Sequence, residues 1–170
     1  MNILSRTVLL ISYILVMDSL TRRGYNKLNQ KGRMKMVDMD VVYEGDLHCS
    51  ATHGPSQNVI STDAPKDNQG RGESFSPTDL VGAALGTCMI TLMGIYAQRH
   101  NVDIKGTSAH VAKEMVTVPA RRIGKLTVQI KVPASVPAEH RSALENAALT
   151  CPVNKTLHPD VIVAATFHYV

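Results

Sequence analysis

The sequence has no tryptophan, and only two Phe and five Tyr among its 170 residues, so any core it forms must be built from aliphatic side chains. Three cysteines are too few for the disulfide framework of a small secreted domain. Their odd number suits a reducing compartment, where thiols do chemistry instead of holding the chain together. No phosphate-binding glycine loop, GxGxxG turn, zincin motif or serine-nucleophile motif occurs, which sets aside nucleotide-dependent chemistry and the common hydrolase mechanisms. Internal repeats are absent as well.

Charge is present but unevenly spread. The whole chain carries +4, of which residues 1–36 contribute +6 and residues 37–170 contribute −2. A mildly acidic body lacks the basic face that displaces counterions from phosphates, so nucleic acid is not an expected partner. The apolar run from Val8 to Met17 is about as long as the apolar part of a signal peptide. It falls well short of the roughly 20 residues that span a bilayer, and no small-residue cleavage site follows it. Met34, Met36 and Met39 precede the first strand-like segment. Residues 1–36 therefore read as an extension outside the fold, with residues 37–170 as one domain, no membrane partner and a cytoplasmic location.

From Met39 the pattern is that of strands. Met39–Tyr43 and Leu47–Thr52 read as a hairpin turning at Glu44-Gly45-Asp46, with Gly45 supplying the unusual backbone angles. A short strand fits Asn58–Thr62, and residues 63–72 form a polar loop. Ser76 is placed to cap a helix, with Pro77 in its first turn and Asp79 three residues after the cap. That helix should run to His100 or Asn101. It has no charged residue between Leu80 and Tyr96, which implies burial on every side. Strands follow at Val111–Val118 and Leu126–Val132, then a helix from Pro137 to Leu149, then a strand at Val161–Phe167. This order indicates α+β, with sheet wrapped on helices. The apolar surface of the long helix exceeds what one small sheet can cover, so a two-fold homodimer is expected.

Three features carry a family resemblance: the helix start at Ser76-Pro77, the run Ala83-Ala84-Leu85-Gly86-Thr87-Cys88, and Cys151-Pro152 after a second helix. In this order and spacing they resemble the OsmC/Ohr family of thiol-dependent hydroperoxide reductases, over roughly residues 38–170. The resemblance implies an OsmC-like fold, with antiparallel sheets around two central helices in an intertwined dimer. It also implies reduction of organic or inorganic hydroperoxides in oxidative-stress defence. Cys88 is then the attacking thiol, Cys151 the resolving thiol, and an external thiol the reductant. The chemistry needs two such residues, because a thiolate that attacks a peroxide oxygen becomes a sulfenic acid, and a second thiol condenses with it to a disulfide. The same residues also allow a non-catalytic module that binds a small apolar molecule or senses redox state.

A thiol in apolar surroundings resists ionisation, so Cys88 needs a cation or hydrogen-bond donors nearby. The family's peroxidases use an Arg from the N-terminal region, steered by a Glu near the start of the central helix. Here Thr78 stands in the Glu position with Asp79 beside it, and no Arg occurs between Met34 and Gly70. Arg71 is the nearest substitute and Glu73 its orienting partner. Arg99 lies eleven residues past Cys88, about 16 Å along the helix, and is discounted. His48, Cys49 and His53 suggest a metal site, but strand parity points 48 and 49 to opposite faces and no fourth ligand follows, so neither metal nor cofactor is expected. His158, in a loop before Pro159, reads as a surface residue.

Overall fold

The computed structural model describes residues 36–170. The extension expected over residues 1–36 lies outside the described residues, Met36 excepted. The described chain falls into two compact units, residues 36–40 with Thr52–Asn58, and Val41–Ala51 with Val59–Val170. In the first, Gly54 N donates to Asp38 O at 2.9 Å and His53 Nδ1 meets Ser56 Oγ at 2.6 Å.

Strand β1 (Met39–Gly45) and strand β2 (His48–His53) form the expected hairpin, but its turn sits one residue later than the sequence suggested. Asp46 (φ 49°) and Leu47 (φ 65°) are both left-handed, as a two-residue turn between right-twisted strands requires. Gly45 also has positive φ, yet it ends the strand and does not make the turn. The Tyr43 hydroxyl accepts from Leu47 N at 3.3 Å, tying the turn to β1. Strand β3 (Val59–Asp63) completes a sheet of order β1-β2-β3.

Helix α1 (Pro77–His100) begins where its cap predicts. Ser76 Oγ accepts from Asp79 N at 3.2 Å, and Asp79 Oδ2 accepts in return from Ser76 N at 2.8 Å. This reciprocal pair satisfies two of the donors that a helix start leaves free. Asn101, in the left-handed conformation, closes the other end.

Strand β4 (Ser108–Val116) pairs antiparallel with β5 (Arg122–Val132), and β6 (Ile162–Tyr169) pairs parallel with β5. A parallel return needs a crossover of a dozen or more residues. Helix α2 (Ala138–Leu149) and the short α3 (Pro152–Thr156) provide it. Leu126, Val128, Ile130 and Val132 alternate inward along β5 and are fully buried, together with Leu85, Met89 and Met93 of α1 and Leu144 and Ala148 of α2. Tyr169 pins α2 to β6: its hydroxyl lies 3.3 Å from Arg141 O and 3.2 Å from Glu145 Oε1. Burial, then the Glu145 carboxylate, pushes its pKa up to about 12.

The architecture is α+β as expected, but the sheet of β4, β5 and β6 is mixed where antiparallel sheets were expected, because the helical crossover returns β6 parallel to β5. Nor is α1 buried on all sides. Its buried stripe is Gly82, Leu85, Gly86, Met89, Met93 and Ala97, while Ala84, Thr87, Thr91 and Ile95 are exposed. The cause is geometric: β4, β5 and α2 cover one flank of the helix, and apolar composition alone brings no cover to the other. Among the described residues α1 is the one helix long and apolar enough to cross a membrane.

Candidate functional site

Cys88 lies three turns into α1, half-buried against the core that contains Cys151. Cys151 ends the link from α2 and is the N-cap of α3, with its Sγ accepting from Asn154 N at 3.4 Å. The position is set by local sequence: Thr150 closes α2, Cys151 takes the extended conformation required before proline, and Pro152 opens the next helix without needing its missing N–H. Cys88 packs against the core that contains Cys151, near enough to bear on the ionisation of that thiol. Burial raises the Cys151 pKa, the backbone N–H of Asn154 pulls it down, and the neighbouring Cys88 raises it again. Cys151 is fully buried and stays a protonated thiol at neutral pH. The structure thus brings together the two cysteines that the sequence paired. Cys49 lines a small hollow with Tyr43, Leu47 and Met115.

The start of α1 holds a charged cluster that the sequence did not reveal. Lys113 of β4, only 16% exposed, reaches Asp79 Oδ1 at 2.6 Å and Thr78 Oγ1 at 2.7 Å. Burial pushes the Asp79 carboxyl up, but the bonds from Lys113 and Ser76 outweigh this and hold it below the usual range. Thr78, in the position of the family Glu, is therefore a hydrogen-bond partner of a lysine. Thr78 and Cys88 are ten helical residues apart, about 15 Å along the axis. A groove of about 880 Å³ runs along this part of α1, lined by Asp79, Gly82, Ala83, Thr87 and Ile90, by Phe75 of the preceding loop, and by Val111 and Lys113 of β4. Neither Cys88 nor Cys151 lines it.

Arg71 does not meet Glu73. Its guanidinium is 60% exposed and pairs with Asp46 Oδ2 at 3.3 Å. Glu73 faces His48 instead, with Oε2 3.5 Å from His48 Nε2, which also lies 3.7 Å from Asp63 Oδ1. His48 thus has acidic neighbours 15 and 25 residues along the chain. Only the fold brings these together. Asp63 is fully buried, and its carboxyl is held low chiefly by the Glu73 backbone N–H, against the effect of burial. His158 is 66% exposed beside Asp160.

Two three-stranded sheets, a long helix packed on one of them, and two cysteines where that helix meets the crossover define the class of OsmC-like α+β folds. The chain belongs to the OsmC/Ohr family: the OsmC-like protein family model matches residues 70–165. A crystal structure from Psychrobacter arcticus, provisionally described as an osmotic stress induced and detoxification response protein, is 44% identical. It has a TM-score of 0.74 and covers 79% of this chain and 98% of its own. An organic hydroperoxide resistance protein OsmC from Legionella pneumophila is 12% identical, with TM-score 0.65 over 79% of this chain and 98% of that one. One from Elizabethkingia anophelis, bound to thiocyanate, is 14% identical, with TM-score 0.63 over 81% and 98%. At these last two identities the likeness is one of fold. No curated protein matches the chain.

Proposed function

We propose that this protein reduces hydroperoxides through Cys88 and Cys151, at the expense of an external thiol. The observation that carries the proposal is the packing of half-buried Cys88 against the core in which Cys151 is sealed, near enough to raise the Cys151 pKa. The Cys88 thiolate attacks one peroxide oxygen, the O–O bond breaks, and the alcohol or water leaves with a proton, so that Cys88 becomes a sulfenic acid. Cys151 then attacks the Cys88 sulfur, forming the disulfide and releasing water. Two external thiols restore the pair by exchange and are themselves oxidised to a disulfide.

Environment suits the order of steps. The neighbouring Cys88 is one of the causes that keep Cys151 protonated. The Asn154 N–H remains to favour the Cys151 thiolate. Cys151 is thus held as a thiol in the resting state, with one backbone donor placed for its thiolate. In this reading Arg71 supplies the cation for Cys88 across the interface of a homodimer, because groups near the start of α1 are too far along the helix to serve their own Cys88. Its present partner is an exposed carboxylate, and such surface pairs contribute only about 0–1 kcal/mol, so the guanidinium is free to change partners.

One equivalent of an organic hydroperoxide should join Cys88 to Cys151 and leave Cys49 free, as read by peptide mapping. Steady consumption should follow with a dithiol or monothiol reductant. A principal disulfide containing Cys49, or peroxide consumption with no disulfide, removes this assignment. The groove beside α1 favours a second reading, a module that holds a small apolar molecule; intact thiols with no peroxide turnover would make it the better one.

A further inference from the structure

We propose that His48, Asp63 and Glu73 form a binding site for a divalent first-row metal ion of the zinc type, independent of the cysteine pair. Their ligating atoms lie within 4.8 Å of one another. His48 comes from the start of β2, Asp63 from the end of β3 and Glu73 from the loop that leads into α1.

The tautomer of His48 is the first argument. Its Nδ1 donates to the Asp46 carbonyl at 2.9 Å, and a carbonyl can only accept, so Nδ1 carries a proton. In the neutral ring Nε2 then presents its lone pair to two carboxylates. Metal-bound imidazoles are oriented in this way, with the outer nitrogen donating to a carbonyl or carboxylate.

Asp63 is the second and independent argument. It is fully buried, with Oδ2 accepting from Glu73 N at 2.9 Å. Among the described residues, no donor reaches its other oxygen, Oδ1. A buried carboxylate oxygen without a donor is costly unless a cation faces it, and Oδ1 is the atom that faces His48 Nε2.

The two spacings from His48 favour an ion over a simple imidazolium pair. Nε2 stands 3.7 Å from Asp63 Oδ1 and 3.5 Å from Glu73 Oε2. Both exceed the 2.7–3.2 Å of an N–H···O hydrogen bond. Ligands about 2.0–2.1 Å from a shared tetrahedral ion are about 3.3–3.4 Å apart, much nearer to what is found. One imidazole with two carboxylates suits a first-row ion better than calcium, which takes six to eight oxygens. Glu73 is 59% exposed, which leaves room for water at the remaining position.

The ligands are already held in place. Asp63 N donates to Phe75 O at 3.1 Å, and Ser74 Oγ donates to Ser61 O at 2.9 Å, fastening the loop to β3. An ion here would clip the β2 and β3 ends to the loop that enters α1, a structural role.

The test uses the full chain and zinc alone. Zinc titration followed by calorimetry should give one ion per chain, and a chelator should lower the melting temperature of the zinc-loaded protein. Glu73→Gln, at an exposed position, and His48→Gln should each weaken zinc by more than about tenfold, a loss that removal of even an outer-shell group can cause. In His48→Gln the chelator should leave the melting temperature unchanged. Cobalt in place of zinc should give a spectrum without thiolate charge-transfer bands. Three results would overturn the site: no zinc bound, zinc affinity unchanged in both variants, or a cobalt–thiolate spectrum. A wild-type protein indifferent to zinc and chelator, yet destabilised by Glu73→Gln, would show an imidazolium pair instead.

Discussion

Arg71 is the cation proposed for Cys88, and Lys113 is the cation found beside Thr78. Arg71 is exposed and paired with Asp46, whereas Lys113 is committed to Asp79 and Thr78 at short range. The looser cation is the one able to follow a substrate. Arg71→Ala should therefore raise the pH at which Cys88 is alkylated by about one to two units, the equivalent of a charge-assisted hydrogen bond of about 1.5–3 kcal/mol. Peroxide reduction should slow while thermal stability barely changes, since only an exposed ion pair is lost. An unchanged alkylation profile would transfer the role to Lys113. The sequence showed the missing Glu and the displaced Arg but not Lys113, because its contact with Thr78 spans 35 residues and joins a strand to a helix start.

At the scale of the element, α1 was legible where its signals are local. Ser76, Pro77 and Asp79 fix its start within one turn of chain, and both its ends fall where expected. Its burial was not legible, because an apolar sequence states what a helix can bury and not what the fold offers to cover it. The same limit hid the His48, Asp63 and Glu73 cluster: strand parity separates neighbours on one strand but is silent about the loop ten residues beyond Asp63. Two glycines one turn apart test the packing that the structure adds. A Cβ on Gly82 would meet Val111 Cγ1 at 3.5 Å, an ordinary contact, whereas one on Gly86 would meet Val111 Cγ2 at 2.8 Å. Alanine gains up to about 1 kcal/mol over glycine within a helix. Gly82→Ala should thus be neutral or stabilising in thermal melts. Gly86→Ala should lose that gain to displacement of Val111 between helix and sheet, and overpacking of this kind costs about 1–3 kcal/mol. Equal melting temperatures for the two variants would mean that α1 and β4 do not meet as closely as described.

The whole molecule presents apolar side chains that a lone chain leaves in water. Val41 is 66% exposed, Tyr43 64%, Val59 59% and Phe75 57%, and Ile95 of α1 is 38% exposed. Large apolar side chains left in water in this number point to an interface, and a second copy placed by a two-fold axis is the simplest cover. Light scattering at micromolar concentration should give twice the chain mass, and the melting temperature should rise with protein concentration. A dimer of this kind makes a sharper demand, because Arg71 is proposed to serve the Cys88 of the other chain. Arg71→Ala and Cys88→Ser homodimers should both be impaired, for different reasons. Unfolded together and refolded as a mixture, half of the dimers should be mixed, and each of these has one site with an intact Cys88 from one chain and an intact Arg71 from the other. Peroxide reduction should then recover to about a quarter of the wild-type rate per site, the fraction that random two-fold pairing restores. No recovery, with mixed dimers shown to be present, would mean that Arg71 acts within its own chain or not at all.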